Sequence, residues 1–286
     1  MSKRVAVCCA CAILGGCADA PQSGRVQLTA PTEMSAVYSE MNLQLKLVTT
    51  ADAKNRCAEP GCGTAEAFDQ RVARIGPDLA KAAYHLYPDL GSRFNNFEFF
   101  LIDKSEPGTM STSTGRIAIL RPVNTLAPAD PALAFIVARE IGHVVAKHHE
   151  EDTANSLIVA GLVQIFAPVL NIARVFANYF LAGATTTSAS ASIAANASVT
   201  ATSFVGTRLL ITSYKPKQRD EADAIAMKLL ALLGYDAPAV AGAFATVDLR
   251  SPATDWASDL KISVERLSPQ PPGNRSILVD STAVAP

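Results

Sequence analysis

The 286-residue sequence predicts an α+β fold that is mainly helical, with a small β-sheet and one helix that carries a motif of reactive side chains. Several long segments repeat apolar residues at helical spacing, whereas two short segments, 96–103 and 116–121, are apolar and rich in β-branched or aromatic residues. A 49% hydrophobic, 18% charged composition is enough to bury a large core. The net charge of −1 and the 6% aromatic content give no reason to expect nucleic-acid binding.

The first 16 residues have the features of an export signal. Lys3 and Arg4 precede an apolar run, 5–14, that is too short to span a bilayer. The following Leu14-Gly15-Gly16-Cys17 resembles a bacterial lipoprotein signal, in which Cys17 is acylated and becomes the new N-terminus. An ordinary signal peptide cut near Ala18 or Ala20 is the alternative.

A lipoprotein signal implies a location in the bacterial cell envelope. Ala18, rather than Asp, follows the cysteine, and by resemblance this indicates the outer membrane, with the protein facing the periplasm. The membrane contact would be the N-terminal lipid anchor, because several acyl chains hold a protein stably. Residues 17–31 are polar and are expected to form a tether.

Two cysteines remain after the signal and the lipidation site, Cys57 and Cys62 in CAEPGC. In an exported protein such a pair predicts a disulfide, which the Pro60-Gly61 turn would help to close. A metal site is the competing interpretation, but two cysteines without a nearby histidine would make a poor metal site.

The domain is expected to cover residues 32–250 and to begin with two helices. In the first, 32–49, the apolar residues recur at helical spacing; the second runs from residue 65 toward 87, with a bend at Gly76-Pro77. Strands follow at 96–103 and 116–121, separated by a loop at 107–115. The apolar residues of the first helix are Met34, Val37, Tyr38, Met41, Leu45 and Leu47.

Asp130-Pro131 carries helix-start signals and opens the motif helix, which is expected to run to a solvated end at residues 148–152. Residues 156–210 form an apolar and low-complexity insertion, predicted as two packed helices or a loop. A helix from Pro216 is expected to stop at Gly234, and another covers 237–247. The Pro-rich residues 251–286 are expected to form a loosely ordered tail.

The motif is AREIGHVVAKHHEE, residues 138–151. It nearly matches His-Glu-x-x-His, which places two zinc-binding imidazoles on one helical face beside a glutamate that acts as general base. Arg139 stands in place of the first histidine, and Glu140 and His143 keep the other two positions.

From about Phe97 to Ile277 the chain resembles the gluzincin peptidases of family M48, which include envelope lipoproteins. The resemblance rests on GRIAIL (115–120) as the substrate-binding edge strand, on the motif helix, on RDEADAIAMKLLALLGYD (219–236) and on QPPGNR (270–275). It implies a mainly helical metallopeptidase domain that binds zinc. It also implies polypeptide substrates or envelope protein partners.

The resemblance places the family's zinc ligands at Arg139, His143 and Arg219, its general base at Glu140 and a supporting aspartate at Asp223. The family's terminal histidine falls on Gln270. Arginine has no lone pair to offer a metal and stays charged, so the usual zinc site cannot form from these residues.

A shifted zinc site that uses His143 and Glu221 is an alternative. On a continuous helix, His148 and His149 lie five and six residues past His143 and share no face with it. We expect instead that Arg139 and Arg219 pair with Glu140, Glu221 and Asp223 in one charge network. Binding of a carboxylate or phosphate by the two arginines is a further possibility.

These expectations favour a pseudopeptidase that holds a peptide by strand addition along residues 115–120. One alternative is an active metalloendopeptidase in envelope protein quality control with a non-standard zinc site. Another is a structural lipoprotein that uses residues 157–181 as a membrane or partner contact.

Overall fold

The computed structural model describes residues 16–53, 62–158, 215–247 and 254–267. The signal residues 1–15, Cys57, nearly all of the 156–210 insertion and Gln270 lie outside the described residues, so the predictions made for them stay predictions.

The described chain begins with a β-hairpin rather than a loose tether. Strands β1 (Gly16–Asp19) and β2 (Val26–Thr29) pair antiparallel, and helix α1 (Thr32–Thr49) follows. The Gln27 amide donates to the Ala146 carbonyl at 3.0 Å, and the Ala30 N–H donates to the Glu150 carbonyl at 3.0 Å. The tether prediction for residues 17–31 is therefore wrong over the hairpin, because its polar residues hydrogen-bond to the domain.

Helix α2 (Cys62–Leu86) contains Pro77 within one continuous helix, and a 3₁₀ turn at Pro88–Ser92 follows it. Its core face recurs every three or four residues, the spacing expected for a half-buried helix. Gly76 allows this helix to approach the sheet, because a Cβ there would lie 2.8 Å from the Phe99 ring. The residues on the core face are Phe68, Val72, Ile75, Leu79 and Ala83.

A three-stranded sheet follows helix α2 and packs against it through the Phe99 ring. Its strands are β3 (Glu98–Ile102), β4 (Thr109–Ser111) and β5 (Arg116–Leu120), in the order β3-β5-β4. Strand β3 pairs parallel to β5, and β4 pairs antiparallel to it.

The prediction of residues 115–120 as an edge strand is wrong, since β5 is paired on both sides. The segment predicted as a loop supplies the edge strand β4, and Gly115, at φ +82°, makes the tight turn into β5.

Helices α3 (Val123–Leu126) and α4 (Asp130–Val145) follow, and α4 is buried on nearly all sides. The motif helix ends earlier than predicted. Lys147 has φ 58°, in the left-handed region, and a new helix, α5, is described over residues 148–158. The predicted single helix through residue 151 is thus two helices, separated by a turn at Ala146 and Lys147.

Helices α6 (Lys215–Leu232) and α7 (Ala237–Phe244) are joined at Gly234, which has φ +80° and ends α6 as predicted. Helix α8 (Asp255–Leu267) buries Leu260 against the core, so the domain does not end at residue 250. Among the described residues, no single helix is long and apolar enough to cross a bilayer; only α6 and α7 together meet that criterion, with a 107° bend between them.

Candidate active site

The site is built where α4 crosses α6. Gly142 lies at the crossing point, against Ala222, so that the two helices meet backbone to backbone. The side chain one turn before Gly142 on α4 therefore meets the side chain next to Ala222 on α6. This crossing positions Arg139 beside Asp223.

Arg139 forms a buried ion pair with Asp223. Its Nε donates to Asp223 Oδ1 at 2.7 Å, and the two side chains are 8% and 14% exposed. The other carboxylate oxygen, Oδ2, is buried and has no partner among the described residues. The position that the family resemblance assigns to a zinc-binding imidazole thus holds a guanidinium, and the supporting aspartate is bonded to it.

Glu140, the expected general base, is buried and held by the edge strand. The hydroxyls of Thr109 and Ser111 donate to its two carboxylate oxygens at 2.6 and 2.8 Å. Each hydroxyl has one proton, so each must accept its second hydrogen bond. Thr109 accepts from Trp256 Nε1 at 2.9 Å, and Ser111 accepts from His149 Nε2 at 3.0 Å.

His143 faces His148 across the break between α4 and α5. Their Nδ1 atoms are 2.9 Å apart, and the two rings stand nearly perpendicular, at 70°. One Nδ1 must donate and the other accept. Burial lowers the pKa of His143 well below its ordinary value, and the nearby His148 and Arg139 charges lower it further. His143 is therefore neutral and can be the acceptor.

Glu221 is the centre of a second polar cluster. His148 Nε2 lies 3.0 Å from Glu221 Oε2, and Arg25 Nε donates to Oε1 at 3.1 Å, with Ser23 donating to the same oxygen. Burial alone would raise the pKa of Glu221, but these hydrogen bonds outweigh it and lower the pKa to about 2. The carboxylate therefore stays ionised.

The prediction of a solvated helix end at residues 148–152 is wrong. His148, Glu150 and Glu151 are 1%, 3% and 2% exposed. Arg93 bonds to Glu150, and both Nη atoms of Arg25 donate to the Glu151 carboxylate. These arginines come from segments that carried no motif, so the sequence offered no signal for them.

The prediction of one five-charge network is also wrong. Arg219 contacts Asp220 and, at 3.4 Å, Asp259 of α8. The five charges divide into four groups: Arg139 with Asp223, Glu221 with Arg25 and His148, Arg219 with its own aspartates, and Glu140 with the hydroxyls of β4. The separation arises because α8, predicted as part of a loose tail, supplies Asp259, and the hairpin supplies Arg25.

The described residues do not fit the zinc site of the family resemblance. Arg139 and Arg219 have no lone pairs, and Asp223 is bonded to Arg139. Within the described ranges, no three His, Cys, Asp or Glu side chains are grouped so that they could hold a metal ion. Of the resemblance's ligand positions, only His143 carries a residue that can bind a metal, and its Nδ1 faces His148.

The sequence model of Peptidase family M48 matches residues 69–275, more than half of the chain. A comparison with curated proteins finds no match. The family match covers the sheet, the motif helix and α5 to α8, whereas the hairpin that supplies Ser23 and Arg25 lies before it.

Proposed function

Because the chain belongs to Peptidase family M48, whose members are generally zinc-dependent, we propose that it is a pseudopeptidase: it keeps the metallopeptidase fold and binds polypeptide without cleaving it. The fold is the mainly helical α+β arrangement of a metallopeptidase domain. The proposal concerns what this chain does with that fold.

The Arg139–Asp223 ion pair carries the proposal. Peptide hydrolysis by this family's chemistry needs a metal that activates water beside the glutamate base. A buried guanidinium 2.7 Å from Asp223 places a permanent positive charge where a dication would bind. The base is also tied to the sheet, since hydroxyls from β4 donate to both Glu140 oxygens.

Strand β4 is the best candidate for the polypeptide-binding edge. It is one of the two end strands of its sheet, so its outer side carries backbone groups that β5 does not pair. Unlike the other end strand, β3, it also contacts the site through Thr109 and Ser111, which bond to Glu140. An extended peptide could add to such an edge, with main-chain hydrogen bonds that do not depend on its sequence. This replaces β5, whose two sides are already paired, as the site of strand addition.

The proposed setting is the cell envelope. Acylation of Cys17 would anchor the protein at the outer membrane, facing the periplasm, where it would hold envelope polypeptides. The resemblance of residues 14–17 to a lipoprotein signal supports this location, and the envelope branch of the family fits it.

Zinc analysis combined with a casein assay tests the proposal. The purified chain should contain far less than one zinc, should bind fluorescent casein and should leave it uncut. The variant Arg139→His with Arg219→Glu restores the family's ligand types and should gain roughly one zinc per chain.

The control is a second double variant, Arg139→His with Arg266→Glu, which keeps the first substitution and moves the arginine-to-glutamate change from the ligand position 219 to an exposed arginine. It should gain no zinc. A native chain that holds one zinc and cuts casein, with cutting abolished in Glu140→Gln, would contradict the proposal.

One observation favours a second candidate, an active peptidase with a displaced metal. The Nδ1 atoms of His143 and His148 are 2.9 Å apart, whereas two nitrogens bound tetrahedrally to zinc at 2.0–2.1 Å would be about 3.3 Å apart. A small separation of the rings would make room for an ion. If His148→Ala removed both zinc and casein cleavage from the native chain, this candidate would replace the first.

A further inference from the structure

Helix α1 is packed with its apolar side outward. The residues that it buries are Ser35, Ser39 and Leu43, two of them small and polar. Five large apolar residues at spacings of three and four form one exposed face, which we name the apolar stripe. Its members are Met34, Val37, Met41, Leu45 and Val48, which are 43%, 63%, 63%, 61% and 81% exposed.

Specific hydrogen bonds fix this orientation. Ser39 Oγ accepts from the Ser113 backbone N–H at 3.1 Å, and Tyr38 donates its hydroxyl proton to Ser156 at 2.9 Å. Arg116 bonds to Glu40 on the flank of the stripe. Rotation of α1 to bury the stripe would break these bonds, so the apolar side faces outward in the folded domain. A contiguous exposed apolar surface of this kind indicates an interaction site.

Cys17, the proposed site of acylation, lies close to the start of α1. Cys17 pairs with Leu28 in the hairpin, and α1 begins four residues after Leu28. The chain can span about 14 Å over those four residues, and the strands are about 5 Å apart, so Cys17 lies within roughly 20 Å of the start of α1. The hairpin itself is held to the domain by Arg25, which bonds to Glu151 and Glu221.

An anchor on a docked hairpin differs from an anchor on a tether. A flexible tether would let the domain stand away from the bilayer, whereas acyl chains on Cys17 of β1 would bring the adjoining surface to the lipid headgroups. The stripe belongs to the element that directly follows the hairpin. We therefore expect the apolar stripe to contact the membrane into which the acyl chains insert.

We propose that the apolar stripe of α1 lies in the surface of the bilayer, with its side chains at the boundary between headgroups and acyl chains. This inference rests on the proposed acylation of Cys17, but not on the proposed lack of peptidase activity. Helix α1 has 18 residues, and at 1.5 Å per residue it is about 27 Å long, enough to lie flat along the membrane. The lipid anchor and the stripe then hold the domain in one orientation.

The charges of α1 indicate the type of lipid contact. Its charged residues are Glu33, Glu40 and Lys46, which form no cationic cluster. Binding should therefore depend on insertion of apolar side chains and not on attraction to anionic lipids.

Vesicle flotation tests the stripe without the lipid anchor. Residues 17–286 carrying Cys17→Ser, which cannot be acylated, are floated with phosphatidylcholine vesicles. The additional changes Val37→Gln, Met41→Gln and Leu45→Gln should lower the floated fraction about fivefold or more. The matched control carries Leu86→Gln, Leu232→Gln and Ile262→Gln, three exposed apolar residues outside α1, and should float like its parent.

Several outcomes would overturn the inference. One is equal flotation of all three proteins, and another is flotation only when phosphatidylglycerol is present. A third is no flotation together with a dimer in sedimentation that the stripe substitutions abolish, because a second copy of the chain would then cover the stripe. Zinc content and casein cleavage of the same proteins report on the proposed function separately. Mass spectrometry of Cys17 in the native chain reports on its acylation, so the failures can be told apart.

Discussion

Gly142 of α4 lies directly against the backbone of Ala222 of α6: a Cβ on Gly142 would be 2.5 Å from the Ala222 carbonyl oxygen and 3.0 Å from its Cα. Neither of those atoms belongs to a flexible side chain that could move aside. The helices can therefore cross at this distance only because residue 142 has no side chain. The crossing also sets the distance between Arg139, one turn before Gly142, and Asp223, the residue after Ala222.

Gly142→Ala should destabilise the domain by about 1–3 kcal/mol, since the added methyl group forces two packed helices apart. Urea unfolding would measure the loss. Gly242→Ala is the control, because a Cβ at this position in α7 has nothing within 4 Å. There the change should be neutral or stabilising by up to about 1 kcal/mol, as alanine favours helix. Equal effects at the two sites would contradict the close crossing.

Arg139→Leu should destabilise the domain by about 3–5 kcal/mol, because Asp223 is then buried without its partner. Asp223→Leu should have a similar effect through the unpaired guanidinium. The double variant should cost much less than the sum of the two, since replacing a whole buried pair by apolar residues is often nearly neutral.

Chemical denaturation of the four proteins completes a double-mutant cycle. Arg266 and Asp220 are the control pair, because they also contact each other but are 49% and 50% exposed. Their coupling should be well below about 1 kcal/mol. Additive effects of the Arg139 and Asp223 changes would show that the buried pair is not coupled.

Much of the fold follows from sequence patterns, but the composition of the site does not. The start of α4 at Asp130 and the end of α6 at Gly234 were predicted from local start and stop signals. Asp130 is, however, the first helical residue and not the cap, and its carboxylate accepts from Arg71. The contact of His143 with His148 depends on one left-handed residue, Lys147, and a lysine gives no sign of that conformation. A periodicity argument assumes an unbroken helix and therefore separated the two histidines.

The outward face of α1 shows a second limit. The helical spacing of its apolar residues was predicted correctly, but this spacing alone does not tell which side of the helix is buried. The small serines that contact the domain gave no apolar signal, while Met41 and Leu45 did. Arg25 and Asp259 were missed for a related reason: polar stretches resemble linkers until the partners that bury them are known.

Lys147→Gly should stabilise the domain by roughly 0.5–1 kcal/mol, because glycine adopts a positive φ without the steric cost that lysine bears. Thermal unfolding would show the gain as a higher Tm. The control is Lys46→Gly in the last turn of α1, which should lower stability by up to about 1 kcal/mol. A loss of stability at position 147 would mean that the lysine side chain itself holds the break between α4 and α5.

Stability should fall as the pH is lowered from 7 to 5, in part because of His149. Burial, with help from the His148 and Arg93 charges, lowers the pKa of His149 to about 3 from an ordinary value of 6.5. At this position the unfolded chain binds a proton below pH 6.5, whereas the folded chain binds it only below about pH 3. The free energy of unfolding therefore falls as the pH is lowered through that window. Between pH 7 and pH 5 the loss from this one group should be about 2 kcal/mol.

His149→Gln should remove that share of the pH dependence while keeping an N–H donor for the Ser111 hydroxyl. Urea unfolding at pH 7 and at pH 5 would measure it, with His85→Gln as the control, since His85 is exposed in the last turn of α2. The His149 variant should lose less stability on acidification than the native chain, and the His85 variant should lose as much. If all three proteins lost the same amount, His149 would be free to take up a proton in the folded state, and its bond to Ser111 would then be donated by an imidazolium.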